Sequence, residues 1–328
     1  MPDVLTIGNA LVDVLDHEDD EFLATHDLVK GSMHLIDHDR AEELYGAMGP
    51  GIEVSGGCAA NTAAGIVSLG GTAGFLGKVR DDQFGALYRH DLASVGVAVE
   101  VPTAPADHPD PTGRCLIMVT PDGERTMNTH LGIAAKVSVD DVDPAVVAAS
   151  PLVYVEGYLW DIESTKDAIR KVLDSLADGS RFAFTLSDSF CVERHHADFL
   201  HLATERIDVL FANEAEITRL YEVADFDEAI ERARHRRGIS FLTCGARGSV
   251  VVAAGEIHRV PAHPVERVVD ATGAGDLYAA GALYGLARGA DLATCAQLGS
   301  LAAAEVISHL GARPQVSLRR LADAVRLP

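Results

Sequence analysis

After residue 150 the chain alternates short apolar runs with longer amphipathic ones, and few folds accommodate that order. The short runs predict strands at 152–155, 181–186, 209–212, 240–244 and 249–252. Helices are predicted at 164–177, 194–205, 214–221, 227–236, 275–287, 292–309 and 318–325. Such short, apolar strands leave no wet face. The pattern therefore specifies an α/β fold with a mostly parallel sheet and helices packed on both sides. Ligands bind such sheets beyond the C-terminal ends of the strands. The strand-to-loop junctions are where chemistry is to be sought.

The first 130 residues are more mixed. A strand is expected at 3–7, and 32–36 reads as extended. One helix should run from Gly56-Gly57 to Leu69 and another over 83–95. Extended pieces follow at 98–101, 114–120 and 125–129, the last two joined by the turn Pro121-Asp122-Gly123-Glu124. Together with 32–36 these pieces suggest a small, mostly antiparallel sheet apart from the main body, drawn from segments near 13–37 and 97–130. The prolines of 102–111 forbid helix interior and mark a loop. No internal repeat interrupts the pattern, so residues 1–328 read as one domain.

Charge narrows the partners. With 49 acidic against 27 basic side chains the formal charge is −22, which argues against nucleic acid. A mononucleotide held by backbone donors and a metal ion stays compatible with that charge. No run of about 18 apolar residues suggests a membrane span. The first residues lack a basic stretch and cleavage site and read directly as a strand. Cys58, Cys115, Cys191, Cys244 and Cys295 are scattered and never form CxxC, which suits reduced thiols in a cytoplasmic setting. There is no GxxxxGK[ST], no GxGxxG after the first strand, and no metal-ligand spacing among the 14 histidines.

Several junctions carry suggestive residues. Asp270-Ala271-Thr272-Gly273-Ala274-Gly275-Asp276 leads into a small-residue helix. Its N–H groups could hold a phosphate, and Asp276 could accept a proton from an attacking hydroxyl. A Gly-rich turn capping a buried helix, with Asp276 favoured by the dipole, accounts for the same residues. Gly56-Gly57, with Asn61 one turn into the next helix, suggests a polar small-molecule site or simply a close-packed helix start. Asp13 could accept two hydrogen bonds from a vicinal diol, or belong to an acidic surface loop. Asn213-Glu214-Ala215-Glu216 is a good helix cap, and its carboxylate could hold Mg²⁺ through water. Thr243-Cys244-Gly245-Ala246-Arg247-Gly248 is either a plain turn or a loop along a nucleotide's phosphates.

Taken in order, these segments resemble the PfkB (ribokinase-like) family of carbohydrate and nucleoside kinases, over about residues 5–314. The resemblance implies a three-layer αβα domain with a small β-sheet lid. It implies ATP-dependent transfer of the γ-phosphate to a primary hydroxyl. Asp276 would be the general base, with Gly273, Ala274 and Gly275 forming the anion hole. Glu216 and Asn213 would organise Mg²⁺, while the loop bearing Thr243, Gly245 and Gly248 would lie along ATP. Asp13, Gly56, Gly57 and Asn61 would hold sugar hydroxyls, and the lid would exclude water. Asp270 and Thr272 fall where some members bind a monovalent cation such as K⁺. Arg125 and Asn128 are candidates to reach the acceptor from the lid.

Gly8-Asn9 before Asp13, Thr112-Gly113-Arg114-Cys115, Asp122-Gly123-Glu124-Arg125-Thr126 and Leu186-Ser187-Asp188-Ser189-Phe190 look most like the adenosine kinase branch. Residues 188–192 lack the DxNxR element of 2-keto-3-deoxygluconate kinases. Cys58-Ala59-Ala60 departs from adenosine kinases, which often have more polar residues there. A purine nucleoside phosphorylated at its 5′-hydroxyl is the expected acceptor. A ribose-, fructose- or ketogluconate-type sugar is the alternative acceptor, and a non-catalytic ligand sensor on the same fold is the non-enzymatic alternative. The expected assembly is a monomer or homodimer.

Overall fold

The computed structural model describes residues 1–324. Its strands in the first half are β1 (Val4–Ile7), β2 (Leu11–His17), β3 (Met33–Leu35), β4 (Ile52–Gly56), β5 (Ala73–Leu76), β6 (Val79–Arg80), β7 (Ala98–Glu100), β8 (Thr103–Ala104), β9 (Gly113–Val119) and β10 (Arg125–His130). The second half adds β11 (Leu152–Glu156), β12 (Arg181–Thr185), β13 (Val209–Asn213), β14 (Ile239–Thr243), β15 (Ser249–Ala253) and β16 (Glu256–Val260).

Nine of these build the main sheet, in the order β16-β15-β14-β13-β12-β11-β1-β5-β7. All neighbours from β14 to β7 run parallel, and β15 and β16 extend the edge antiparallel. Side chains leave a strand alternately up and down, and here both directions are buried. In β11, Leu152 and Tyr154 join Phe75, Phe211 and Phe241 in one core. Val153 and Val155 join Leu5, Ile7, Phe182 and Phe184 in the other. Helices Cys58–Ser68, Ala274–Ala287 and Leu292–Val306 cover the first face, and Glu163–Ser175, His196–Glu205 and Glu214–Tyr221 the second. This is the three-layer α/β architecture that the alternation requires.

A second sheet of five strands, β3-β10-β9-β2-β4, stands beside the body. Two of its pairings are antiparallel (β9–β10, β2–β4) and two parallel (β3–β10, β2–β9), so it is mixed rather than mostly antiparallel. It also starts later than expected in its second segment. Residues 98–100 belong to the main sheet's edge, because Val97 and Val99 pack into the first core. β8 pairs with β6 instead, and the second segment joins this sheet at Gly113. The strands β2, β4, β5, β6, β8 and β16 were not anticipated, and β8 falls within the stretch 102–111 expected to be a loop. β2 was obscured by its acidic side chains and β16 by its charges.

On β9 the outward residues Arg114, Leu116 and Met118 pack on the body and the helix His38–Ala47. Arg114 stacks over Phe84 and Tyr45 and pairs with Glu42. The other face carries a separate apolar cluster of Cys115, Ile117, Val119, Leu15 and Met127.

Most helices fall within a few residues of their expected bounds. The expected helix 194–205 is His196–Glu205, and an unexpected short helix, Ser189–Arg194, precedes it, capped by Asp188 (accepting from Cys191 N–H at 2.6 Å) and separated from it at His195. The last helix covers Leu318–Ala324, and Val325 lies outside the described residues.

Candidate active site

β1, β11, β13 and β14 are parallel, so Gly8-Asn9, Glu156, Asn213 and Thr243 emerge at one end of the sheet. Two helices start there and converge. Gly65 of Cys58–Ser68 lies directly against Ala280 and Leu277 of Ala274–Ala287, with no room for a Cβ. That close crossing brings the two N-termini together. Asn61 Nδ2 then donates to Asp276 Oδ2 at 3.0 Å, and Thr62 Oγ1 donates to the Asp276 carbonyl at 3.1 Å.

Asp276 is the third residue of its helix, with only part of its surface open to solvent. Burial lifts its carboxyl to about 6, opposed by the Asn61 amide, the Cys58 thiol and the charge of Arg313. The carboxyl stays mostly ionised at neutral pH and is basic enough to take a proton. Gly273 caps the same helix in the left-handed region (φ +78°), and Ala312 fills the space a side chain would need. Gly275 is exposed with nothing near its missing Cβ, which leaves an open approach to the helix dipole. Ala274 differs from expectation: its N–H already donates to the Ala271 carbonyl at 3.2 Å.

Asp13 comes from β2 of the small sheet, not from an acidic loop. Its carboxyl lies against the Cα of Gly56, where any Cβ would collide with it. Gly57 takes φ +91° because the Asn9 carbonyl occupies the space of its Cβ. The paired glycines thus let a carboxylate and a loop reach the helix start. Burial lifts Asp13 to about 7, opposed by Arg313 and Arg125 and reinforced by Asp276.

Three more residues belong to the site. Glu156, buried at the end of β11, accepts from Asn9 N–H (2.6 Å) and Ala59 N–H (3.1 Å) and ties the first loop to the first helix. Burial raises it to about 7 against those two donors. An acid ending an apolar strand at the ligand-binding edge was a readable signal for it. Arg313 donates through Nε to Asn61 Oδ1 at 2.7 Å. Nothing in its local sequence marks it. Ser55 ends on Arg313 and Asp91.

Alternation along β10 separates the two lid candidates. Arg125 opposes Val119, and Asn128 opposes Leu116 on the other face. Arg125 reaches the body, pairing with Asp270 at 2.6 Å and approaching Thr272 Oγ1 at 3.4 Å. Asn128 is buried against Met118 and does not face the site. The Asp270 carboxylate also accepts from Gly311 N–H (2.9 Å) and Thr272 N–H (3.0 Å). The Asp270 carboxylate is thus already paired with Arg125 and held by two backbone donors.

Asn213 and Glu216 form a reciprocal cap. Asn213 N–H and Nδ2 donate to the two carboxylate oxygens (2.9 and 2.6 Å), and Glu216 N–H donates back at 2.9 Å. Burial raises Glu216 to about 7, opposed by Asn213 N–H and reinforced by Asp188. Sheet register sets Asn213 beside Thr243, and Arg247 of the following turn pairs with Glu214. Gly248 (φ +92°) is pressed against the strand β16 backbone, whereas Gly245 (φ +57°) stands in open space. Tyr278 OH donates to Ser249 Oγ at 2.8 Å, fastening this loop to the helix that carries Asp276.

The chain matches the family model described as pfkB family carbohydrate kinase over residues 33–318. It is 48% identical to the adenosine kinase from Sinorhizobium meliloti, whose solved structure superposes with a TM-score of 0.91 over 99% of both chains. A probable sugar kinase protein from Rhizobium etli CFN 42 is 43% identical, with a TM-score of 0.92 over 100% of this chain and 99% of the other. Among curated proteins, Adenosine kinase 2 of Arabidopsis thaliana is 26% identical over 94% of each chain.

Proposed function

We propose that this chain, which belongs to the pfkB family of carbohydrate kinases, transfers the γ-phosphate of ATP to the 5′-hydroxyl of a purine nucleoside. The observation that carries the nucleoside is the lid's inner face. Beside Asp13 it carries the buried Cys115, Ile117 and Val119 and the partly buried Leu15 and Met127, an apolar wall. A purine offers a flat apolar face to such a surface, while its ribose offers a diol to Asp13. A free sugar, polar on every side, would desolvate hydroxyls there without partners. The likeness to the S. meliloti adenosine kinase supports the same reading.

In the reaction Asp13, the Gly56-Gly57 backbone and Asn61 hold the ribose. Asp276 takes the proton of the attacking hydroxyl as the new P–O bond forms and the bond to ADP breaks. The N–H groups of Gly273 and Gly275, at the positive end of the helix dipole, face the transferring phosphoryl. Arg125 is suited to the same charge, because its Nε is buried without a hydrogen-bond partner among the described residues. Thr243, Gly245 and Gly248 would run along ATP. Glu216 and Asn213 would hold Mg²⁺ through water, since both carboxylate oxygens are already engaged. Magnesium, when bound, neutralises phosphate charge. Residues 1–328 act as one kinase unit in a reducing, cytoplasmic setting.

A sugar acceptor is the second reading, favoured by the likeness to the R. etli probable sugar kinase. ADP release across adenosine, guanosine, inosine, cytidine, ribose, fructose and 2-keto-3-deoxygluconate tests both. Turnover with purine nucleosides and none with sugars is expected. Turnover only with sugars would replace the acceptor. Asp276→Asn should bind ligands normally and lose about 10²- to 10⁴-fold in kcat; an unchanged rate would remove Asp276 as the base.

A further inference from the structure

We infer that Arg313 is a positioning residue for phosphoryl transfer, fixing the Asn61 amide on Asp276 while holding one positive charge over the site's carboxylates. The inference rests on Asp276 being the general base. Its footing is a three-residue clamp that follows the helix Leu292–Val306. Gly311 N–H donates to Asp270, Ala312 fills the space above Gly273, and Arg313 reaches Asn61. Each successive residue holds a different part of the anion-hole loop and its neighbour. Glu305 secures the far side, accepting from Gln315 N–H at 2.9 Å and Val316 N–H at 3.1 Å.

The chemistry of Arg313 permits one arrangement. A guanidinium only donates, so its Nε–H, 2.7 Å from the Asn61 side chain, must meet the amide oxygen. The amide NH₂ is then forced toward Asp276, where it donates at 3.0 Å. Flipping the amide would set its oxygen against a carboxylate and its NH₂ against a guanidinium. Arg313 Nη2 is itself fixed by the Ser55 carbonyl (2.7 Å) and Ser55 Oγ (3.1 Å), and Asp91 holds Ser55. Without Arg313, Asn61 can turn its oxygen to Asp276 and the base loses its orientation.

The charge acts in the same sense. Groups facing Asp276 and Asp13 are Cys58, Glu156, Tyr154 and Tyr88 from the body, and Arg125 and Cys115 from the lid, while Asp91 faces Arg313 itself. Arg313 is the cation that lowers the Asp276 carboxyl, and it also lowers Asp13, where Arg125 contributes less. Removing it leaves those carboxylates less compensated.

The experiment compares Arg313→Met and Arg313→Lys for kcat, acceptor KM and the pH profile of kcat, with adenosine and ATP. Arg313→Met should lose about 10- to 100-fold in kcat. The acid limb of its profile should move to higher pH, because Asp276 has lost the charge that favours ionisation. Arg313→Lys should keep the limb near its original position and lose rate, since it keeps the charge without the fork. A purely structural role would lower the active fraction equally at all pH values and leave the limb in place. If Arg313→Met does not fold, Arg313→Lys is combined with Asn61→Ala. Coupled losses support the relay, and fully additive ones overturn it. A superimposable pH profile with unchanged kcat in Arg313→Met also overturns it. Asp276→Asn run alongside separates the two claims. If it keeps its rate the base assignment fails, and if it collapses while the Arg313 variants behave normally only the Arg313 inference fails.

Discussion

Gly56 shows how a single missing Cβ can organise a site. The Asp13 carboxyl occupies the volume a side chain would take, so the lid's acid and the body's glycine are one device. Gly56→Ala should displace Asp13 and raise acceptor KM about 10- to 100-fold, the scale of hydrogen bonds to a charged group. Asp13→Ala should match it, and ATP KM should hold in both. Steady-state kinetics decide the point; an unaltered acceptor KM in both variants would mean Asp13 does not hold the acceptor. Gly56, Gly57, Asn61 and Asp276 stand at glycine clusters that the sequence displays, whereas Asp13 lies inside β2, a strand that its acidic side chains obscured. Arg313 acts through a partner 252 positions away and no local spacing announces it, whereas Glu156, reaching across 147 positions to Asn9, is marked only by its place at the end of an apolar strand.

At the level of elements, the two-residue period of β10 sorts its side chains. Arg125 faces Asp270 and Asn128 is turned into the lid's packing. Arg125→Ala should lower kcat/KM for ATP by about 10- to 100-fold and also lower the melting temperature, because it strips the buried Asp270 of its counter-charge. Asn128→Ala should leave kinetics alone and lower the melting temperature. Reversed kinetic outcomes would mean the register of β9 and β10 is not as described. The helices Cys58–Ser68 and Ala274–Ala287 place Asn61 on Asp276 only because Gly65 and Ala280 allow their close crossing. The Ala- and Gly-rich composition hinted at tight layers, yet which small residues meet depends on the crossing itself.

At the scale of the molecule, four enclosed carboxylates among the described residues, Asp13, Glu156, Glu216 and Asp276, have burial-raised values between about 6 and 7. The native state therefore holds more protons than the unfolded chain between roughly pH 4 and 7, so their contribution to stability falls as pH rises through that window. The −22 charge adds self-repulsion in the same direction. Asp82, Asp161 and Asp198, with lowered values, contribute stability that is lost at lower pH. Calorimetry should find the highest melting temperature near about pH 5, declining toward pH 8 and partly restored by salt. A melting temperature rising steadily from pH 5 to 8 would contradict that balance. The sequence by itself determined the layered parallel sheet, since short apolar strands must be buried on both faces, and it marked the glycine junctions where helix dipoles meet a ligand. Tertiary structure alone decided that 98–100 completes the main sheet, that Arg125 rather than Asn128 enters the site, and that Asp270 serves Arg125. It also decided that Arg313 orients Asn61. Those outcomes turn on which surfaces meet, through burial, strand pairing and charge pairing between residues far apart in the chain.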